Sequence, residues 1–392
     1  MTKRTAIILV NYKDYALKYL SDCWASLRAQ DYAGARKVFI VDNESTAESY
    51  EHLKSVCCGG APPNPALSGE KFEIIRNKKN DGFAKGNNDA IKLALEQGFD
   101  YVILFNMDTV VAPDCVSKMI EMAENPPGPF YQGGGIQPPP SPLSGRRIGA
   151  VQARLMMYNE KSKINSLGNA THFLGFGYCL GYKEEYNPPS PPASSAGQAF
   201  YQEGINICYP SGAAVLFKAE VLKKVGFFDE EFWMYNEDQD LGWRVWLAGF
   251  RCVLAPDAVV YHKYEFSRSI KKYYCLDRNR IMVMLKNYGW PTLVLVFPAF
   301  TIMEIGLIFF SLKNGWFYEK AKVYSYFLNL TNWRRIMAER KKVQGLRTVK
   351  DGQIIKLFSG KIWYQEIGER RLKVANVIFN AYWQIAKGLI KW

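Results

Sequence analysis

The sequence predicts an α/β fold, a mostly parallel sheet flanked by helices, followed by a C-terminal helical region that is both apolar and basic. Three observations carry this prediction. Apolar runs of strand length alternate with longer helical patterns through the first third of the chain, polar residues close those runs, and net charge gathers at the far end.

The alternation runs in order. TAIILVNY reads as the first strand and is followed by a helical pattern over residues 15–27. KVFIVDN is followed by STAESYEHLKSV, FEIIRN by GNNDAIKLALEQG, and YVILFN by APDCVSKMIEMAE. Strands separated by helices of this length are βαβ units, which build parallel sheets. Ligands of such sheets bind beyond the carboxyl ends of the strands. Three of the four strands end there in groups able to meet a ligand: Asn11, Asp42 with Asn43, and Asn106 with Asp108. The Pro- and Gly-rich stretches 57–69, 125–145 and 187–197 cannot sustain helix or central strand and read as surface loops. Residues 149–186, between the last two, are rich in Gly and aromatics and are expected to line an acceptor site.

At 392 residues the chain exceeds one ordinary core. The expected division is a nucleotide-binding catalytic domain over 1–270 and a hydrophobic, basic region over 271–392. Of the formal charge of +13, residues 313–392 supply 17 Lys or Arg against 5 Asp or Glu, or +12, leaving +1 for the rest. Basicity is thus a property of the tail. Residues 291–312, PTLVLVFPAFTIMEIGLIFFSL, are about long enough to cross a bilayer. Pro298 and Glu304 interrupt them, so a re-entrant or interfacial helix pair competes with a full span. Because its basic residues flank apolar helices, the tail is expected to meet an anionic membrane surface and not nucleic acid. The eight cysteines form no C-x-x-C pair, which argues against a disulfide framework or zinc site and fits a reducing compartment. The apolar run 6–10 is too short for a secretory segment, so the chain is expected to start folded, at the cytoplasmic face of a membrane.

Each candidate residue has a plain alternative. Asp108 closes a strand where Asp also caps turns, and Asp42 precedes Ser45 and Thr46, which cap helices. NKKNDGFAKGNN offers Asn80, Gly82, Phe83 and Asn87 before a helix, with glycines for tight turns, but matches neither the Walker nor the G-x-G-x-x-G pattern. Glu237, Asp238 and Asp240 open a further helix, where acids suit the dipole, and Asp240 and Arg244 stand at i, i+4. His262 ends the strand pattern DAVVYH and is one of only three histidines. A histidine at a strand end opposite two carboxylate motifs is a candidate ligand.

Taken in order, AIILVNYKDYALKYLSDCWASL, VDNEST, NDGFAKGNN, FNMDT, the segment from SGAAVLF to VVYH, and KYYCLDRNRIMVML resemble the family 2 glycosyltransferases of the GT-A fold. The likeness is greatest to the branch with rhamnosyl- and galactofuranosyltransferases and covers roughly residues 5 to 285. The resemblance implies a divalent cation, Mg²⁺ or Mn²⁺, at the strand-end D-x-D position, here Asn106-Met107-Asp108, with Asp108 as direct ligand and His262 matching a metal-binding histidine. It implies that Asp42 meets the nucleobase, that Asn80, Gly82, Phe83 and Asn87 line the donor pocket, and that Asp238 is the catalytic base. Asn11, Asn43, Asn106, Glu237 and Arg244 are further expected substrate contacts.

The implied reaction is an inverting transfer from a nucleotide-sugar, with a rhamnosyl or UDP-linked donor, to a glycan or lipid-linked acceptor in cell-surface polysaccharide synthesis. A cation neutralises the departing diphosphate, and a carboxylate accepts the attacking hydroxyl's proton. A sugar nucleotidylyltransferase is the rival enzyme, but VNYKDYALKYL lacks the Gly-rich loop expected after its first strand. A noncatalytic membrane- or nucleic-acid-binding protein would bind through the tail with strong salt dependence and would not need Asp108.

Overall fold

The computed structural model describes residues 3–58, 71–124, 146–187, 205–263, 270–362 and 369–392. The expected surface loops at 59–69, 125–145 and 188–197 lie outside the described residues. A central sheet holds β1 (Thr5–Lys13), β2 (Arg36–Ser45), β3 (Lys71–Asn77), β4 (Tyr101–Phe105), β5 (Thr109–Val111), β6 (Ile148–Met157), β7 (Ile164–Ser166), β10 (Ile205–Asn206), β11 (Ala214–Lys218) and β12 (Arg251–His262). A separate hairpin joins β8 (Asn169–Thr171) to β9 (Gly177–Cys179).

The order β3-β2-β1-β4-β11-β6-β12 bears out the α/β reading. β1, β2, β3 and β4 are parallel, β11 runs antiparallel between β4 and β6, and β6 and β12 are again parallel. β4 shows why a continuous apolar run is needed here. All five of its residues are buried and, with period two, Val102 and Leu104 enter one core while Tyr101, Ile103 and Phe105 enter the other.

Helices α1 (Ser21–Arg28), α2 (Ala47–Cys58), α3 (Gly82–Glu96), α4 (Cys115–Glu124), α5 (Ala219–Val225) and α6 (Glu237–Leu247) accompany the sheet. Leu20, Trp24 and Leu27 join Cys115 and Met119 over one face. Ala84, Ala90 and Ile91 join Val221, Leu222 and Trp246 over the other. A π-helical turn, Ala16–Leu20, precedes α1, which the periodicity of the sequence did not distinguish from ordinary helix.

The tail is helical: α7 (Ile270–Asn287), α8 (Trp290–Lys313), α9 (Phe317–Leu328), α10 (Leu330–Gly345), α11 (Asp351–Ile354) and α12 (Glu369–Leu389). It packs against the sheet domain. Phe173 stacks on Trp383 at 4.8 Å, and Trp243 meets Tyr288 and Phe358 edge-on at 4.7 and 4.6 Å. Val349, Ile354, Phe358 and Trp383 belong to the same apolar cluster as Leu104 and Val215, so the core runs across residue 270 without a break.

Candidate active site

The carboxyl ends of β1, β2 and β4 gather the expected donor-side residues. Pairing of β1 with β2 sets Asn11 beside Asp42, and Asn11 Nδ2 donates to Asp42 Oδ1 at 3.0 Å. Asn11 Oδ1 accepts the Ala16 N–H at 2.9 Å, at the start of the π-helical turn. Asp42 is fully buried and its Oδ2 has no hydrogen-bond partner, with Arg76 Nε at 3.5 Å. A buried carboxylate oxygen in that state is poised for a donor from outside, such as a base N–H.

Asn43 builds the adjoining loop. Its Nδ2 donates to Asn80 Oδ1 at 2.9 Å and to the Gly82 carbonyl at 3.1 Å, and its Oδ1 accepts the Asp81 N–H at 3.3 Å. Asn80 Oδ1 also accepts the Gly82 N–H at 3.0 Å. Gly82 sits at φ +86°, and a Cβ there would lie 2.4 Å from the Trp233 ring and 2.5 Å from its carbonyl oxygen. Only glycine suits that position. Asn87 is buried and donates to the Phe83 carbonyl at 2.9 Å.

Beyond β4 the chain turns through Asn106, Met107 and Asp108 into β5. Thr109 N–H returns to the Asn106 carbonyl at 3.1 Å and Thr109 Oγ1 does so at 2.7 Å. β5 then pairs antiparallel with the end of β12, setting His262 opposite Thr109, while Lys263 N–H donates to the Asp108 carbonyl at 2.9 Å. That register brings together residues 154 positions apart in the chain: His262 Nε2 lies 3.3 Å from Asp108 Oδ1, both side chains buried.

The pair fits a divalent cation. His262 Nδ1 faces Asn165 Oδ1 at 3.2 Å. An amide oxygen only accepts, so Nδ1 carries the hydrogen, and in the neutral ring Nε2 presents its lone pair to Asp108. Asp108 Oδ1 has no hydrogen-bond partner. A carboxylate oxygen and an imidazole nitrogen this close can share a proton or a metal ion, and carboxylate with imidazole is a donor set that suits Mn²⁺ or Mg²⁺. Among the described residues no cluster of three His, Cys, Asp or Glu forms a metal cage. Two protein ligands with the rest left to phosphate and water is the usual arrangement for Mg²⁺ on a nucleotide.

The third part is the start of α6. Trp233, Tyr235 and Asn236 all have positive φ, at 59°, 72° and 62°, a strained approach of the kind found where side chains must be aimed. Asn279, fully buried on α7, holds this loop by donating to the carbonyls of Phe232, Met234 and Tyr235 at 3.0, 3.0 and 2.7 Å. Asp238 follows, half-buried, with Oδ1 accepting the Gln239 N–H at 2.8 Å and Oδ2 the Gly212 N–H at 3.3 Å. Gly212 precedes Ala213, whose carbonyl accepts the Asn106 N–H at 3.0 Å. Asp238 is thereby attached to the same strand ends as Asn106 and Asp108. Burial pushes its carboxyl up to about 6, against the opposing pull of the Gly212 and Gln239 N–H groups. Burial and then the charge of Asp238 push Glu237 well above the usual carboxylate range. Of these two neighbouring acids, Asp238 is the less buried and the more easily ionised at neutral pH.

Three expected substrate contacts are used inside the protein. Arg244 is buried, its Nε paired with Asp240 at 2.9 Å, while Nη1 and Nη2 donate to the Val225 and Phe227 carbonyls, both at 2.6 Å. All three nitrogens of its guanidinium are engaged, Nη1 and Nη2 tying α6 to the end of α5 and the segment after it. Asn11 and Asn43 likewise build the frame around Asp42 and Gly82. Sequence reasoning missed Asn165, Gly212 and Asn279, none of which stands in a run with a chemical signature; Asn279 lies inside the KYYCLDRNRIMVML motif but carries no signal of a role there. A cavity of about 200 Å³ between the β8–β9 hairpin and residues 357–359 contains none of these groups.

Residues 6–187 match the family model described as Glycosyl transferase family 2. The chain is 24% identical over 245 residues to an N-acetylglucosaminyltransferase of Rhizobium leguminosarum bv. viciae, covering 61% of this chain and 46% of that protein. It is 44% identical over 52 residues to an N-acetylglucosaminyl-diphospho-decaprenol L-rhamnosyltransferase of Mycobacterium tuberculosis (strain ATCC 25618 / H37Rv), covering 13% and 17%. The chain therefore spans about half the length, or less, of the curated relatives it matches. Among solved structures, the mannosyltransferase PcManGT from Pyrobaculum calidifontis, in complex with GDP-Man and Mn²⁺, superposes with a TM-score of 0.46 at 13% identity, covering 88% of this chain and 86% of that one.

Proposed function

We propose, for a chain that belongs through residues 6–187 to the family 2 glycosyltransferases, that it transfers a sugar from a nucleoside diphosphate sugar to an acceptor hydroxyl, with inversion at the anomeric carbon. The observation that carries the reading is the approach of His262 to Asp108 at 3.3 Å, with Asp238 tied through the Gly212 N–H to the chain that pairs with the end of β4.

Asp42 recognises the base. Its Oδ2, which accepts no hydrogen bond within the protein, suits the imide N–H that uracil and thymine share, which keeps UDP- and dTDP-linked sugars together as the donor class. Asp108 and His262 hold a divalent cation, which supplies charge neutralisation to the departing diphosphate. Asp238 takes the proton of the attacking hydroxyl. A carboxylate raised toward neutral pH is a stronger base than an ordinary one yet stays ionised at pH 7. Attack from the face opposite the diphosphate needs this single base and no covalent intermediate. The sugar is an N-acetylglucosaminyl or rhamnosyl unit, the two transfers for which the similar proteins are named. The acceptor is a glycan or lipid-linked saccharide at the cytoplasmic face of a membrane, supported by the apolar helix α8 and the basic tail.

Calorimetric titration of UDP-GlcNAc and dTDP-rhamnose into the full chain tests the reading. Binding is expected to strengthen with Mn²⁺ or Mg²⁺ and to lose that enhancement in Asp108→Ala and His262→Ala. Binding that ignores the cation in the wild type refutes the assigned metal pair.

A further inference from the structure

Helix α8 is apolar nearly all round, yet its two sides are treated differently. One stripe, Thr292, Val296, Ala299, Met303, Leu307 and Ser311, is buried against the protein. The opposite stripe is bare: Val294, Phe297, Ile302, Ile305, Phe309 and Leu312 are all exposed, Phe297 by 63% and Phe309 by 67%. Helix α12 packs beside it, Tyr382 Oη donating to the Leu295 carbonyl. It repeats the arrangement, with Phe379, Trp383 and Ala386 buried and Val374, Val377, Ile378 and Ile385 exposed. A contiguous apolar surface of this kind marks an interaction site.

Glu304 shows which way the helix sits. It faces inward, pairing with Arg280, with Lys320 at 2.6 Å and with Tyr324 Oη at 2.8 Å. Asp277 closes the cluster against Arg280 at 2.7 Å and Lys320 at 2.6 Å. Two acids and two bases balance in the interior, so the charge in the apolar segment never meets the outer face.

Both ends of α8 are also held to the protein. At the start, Gly289 N–H and Thr292 Oγ1 reach Asp351 Oδ2 at 2.8 and 2.6 Å, and Trp392 Nε1 reaches Thr292 Oγ1 at 2.9 Å. At the far end Trp316 packs on Tyr273 of α7 at 4.1 Å and on Phe310 at 5.7 Å. Arg280 of α7 thus meets α8 midway and Tyr273 of α7 meets the turn just past its far end, while α9 and α12 pack on α8 as well, and α7 also grips the catalytic loop through Asn279. A helix of 24 residues, about 36 Å, could cross a bilayer only by tearing away from α7 or by dragging it into the hydrocarbon.

We propose that α8 and α12 seat the protein on the surface of an anionic bilayer, lying in its plane with their bare stripes among the acyl chains, and that α8 does not cross. The occupant is a lipid surface because the stripe of α12 lies within, and that of α8 directly before, residues 313–392 with their net charge of +12, and Lys313 at the end of α8 and Lys391 after α12 are both exposed. The proposal deepens the membrane reading above by naming the surface and its mode of insertion.

Flotation of the full chain with phosphatidylcholine vesicles, with and without phosphatidylserine, tests it. The expected result is flotation that phosphatidylserine strengthens and salt weakens. Phe297→Glu combined with Phe309→Glu is expected to lower partitioning on the order of a hundredfold, since two aromatic side chains lose their burial. Binding of UDP-GlcNAc and dTDP-rhamnose by the same variant is expected to be unchanged. Lack of flotation by the wild type, or equal flotation by the variant, overturns the proposal while leaving the transferase reading to the donor titration. A wild-type chain that floats but binds neither donor sinks the transferase reading and spares the surface. The orientation has its own test. In sealed inside-out membrane vesicles from an expressing bacterium, Asn314→Cys is expected to react with an impermeant maleimide from the cytoplasmic side, above the labelling of the parent. Protection from that side means that α8 crosses, and overturns the proposal.

Discussion

Replacing Asp238 by Asn should separate catalysis from stability in opposite directions. The substitution removes the charge and keeps the shape. One side-chain oxygen can still accept the Gln239 N–H, now made at 2.8 Å, while the longer contact of 3.3 Å to the Gly212 N–H is lost. Losing a general base lowers turnover by about 10²–10⁴-fold, or about 3–5 kcal/mol of barrier. Stability moves the other way. Burial raises this carboxyl from 3.8 to about 6, so between those values the folded chain holds a proton that the unfolded chain has released. Stability contributed at this site therefore falls as pH rises through that window, and above it the folded protein carries the whole cost of a buried charge. That cost is at most about 3 kcal/mol, and Asn removes it. The wild-type kcat/KM should rise with pH toward a plateau above about pH 6, where the base is ionised. Initial rates with the donor found by titration, taken from pH 5 upward on both proteins, and thermal melts at neutral pH read the two effects. An Asp238→Asn protein with near-normal turnover, or one that melts earlier than wild type at neutral pH, would show that Asp238 is a structural acid.

Two further outcomes follow from the loop before α6. Gly82→Ala places a methyl group 2.4 Å from the Trp233 ring at a backbone φ of +86°; a loss of about 1–3 kcal/mol is expected by chemical denaturation, with weaker donor binding, and an unchanged midpoint would refute the packing. Asn279→Ala leaves three loop carbonyls without their donor. Its cost is about 1–3 kcal/mol, with kcat reduced more than donor KM because the loop aims Asp238, and a kcat equal to wild type would show that Asn279 serves stability alone.

How much of this was readable in advance depends on the range of the interaction. The strand at 101–105 is legible because its five apolar residues satisfy two cores at once, a pattern written locally. Asp238 is legible through its run of acids at a helix start. Asn165, Gly212 and Asn279 were invisible because each acts through a contact remote in the chain: Asn165 on His262, Gly212 through its backbone N–H on Asp238, Asn279 on three carbonyls some 45 positions away. Arg244 misled for the converse reason. Its i, i+4 partner Asp240 was correctly paired, but only the fold shows that the segment after α5 takes its other two nitrogens.

The amino-acid order alone determined the alternation of strands and helices, the polar groups at the strand ends and the concentration of positive charge in the tail, since each depends on near neighbours and simple periodicity. Tertiary structure decided which of those groups meet. The antiparallel register of β5 on β12 joins His262 to Asp108, and Arg280 of α7 with Lys320 and Tyr324 of α9 turns Glu304 inward. No local pattern encodes either one, because strand pairing is chosen by the whole sheet, and the partners that draw Glu304 inward, Arg280 and Lys320, lie on other helices.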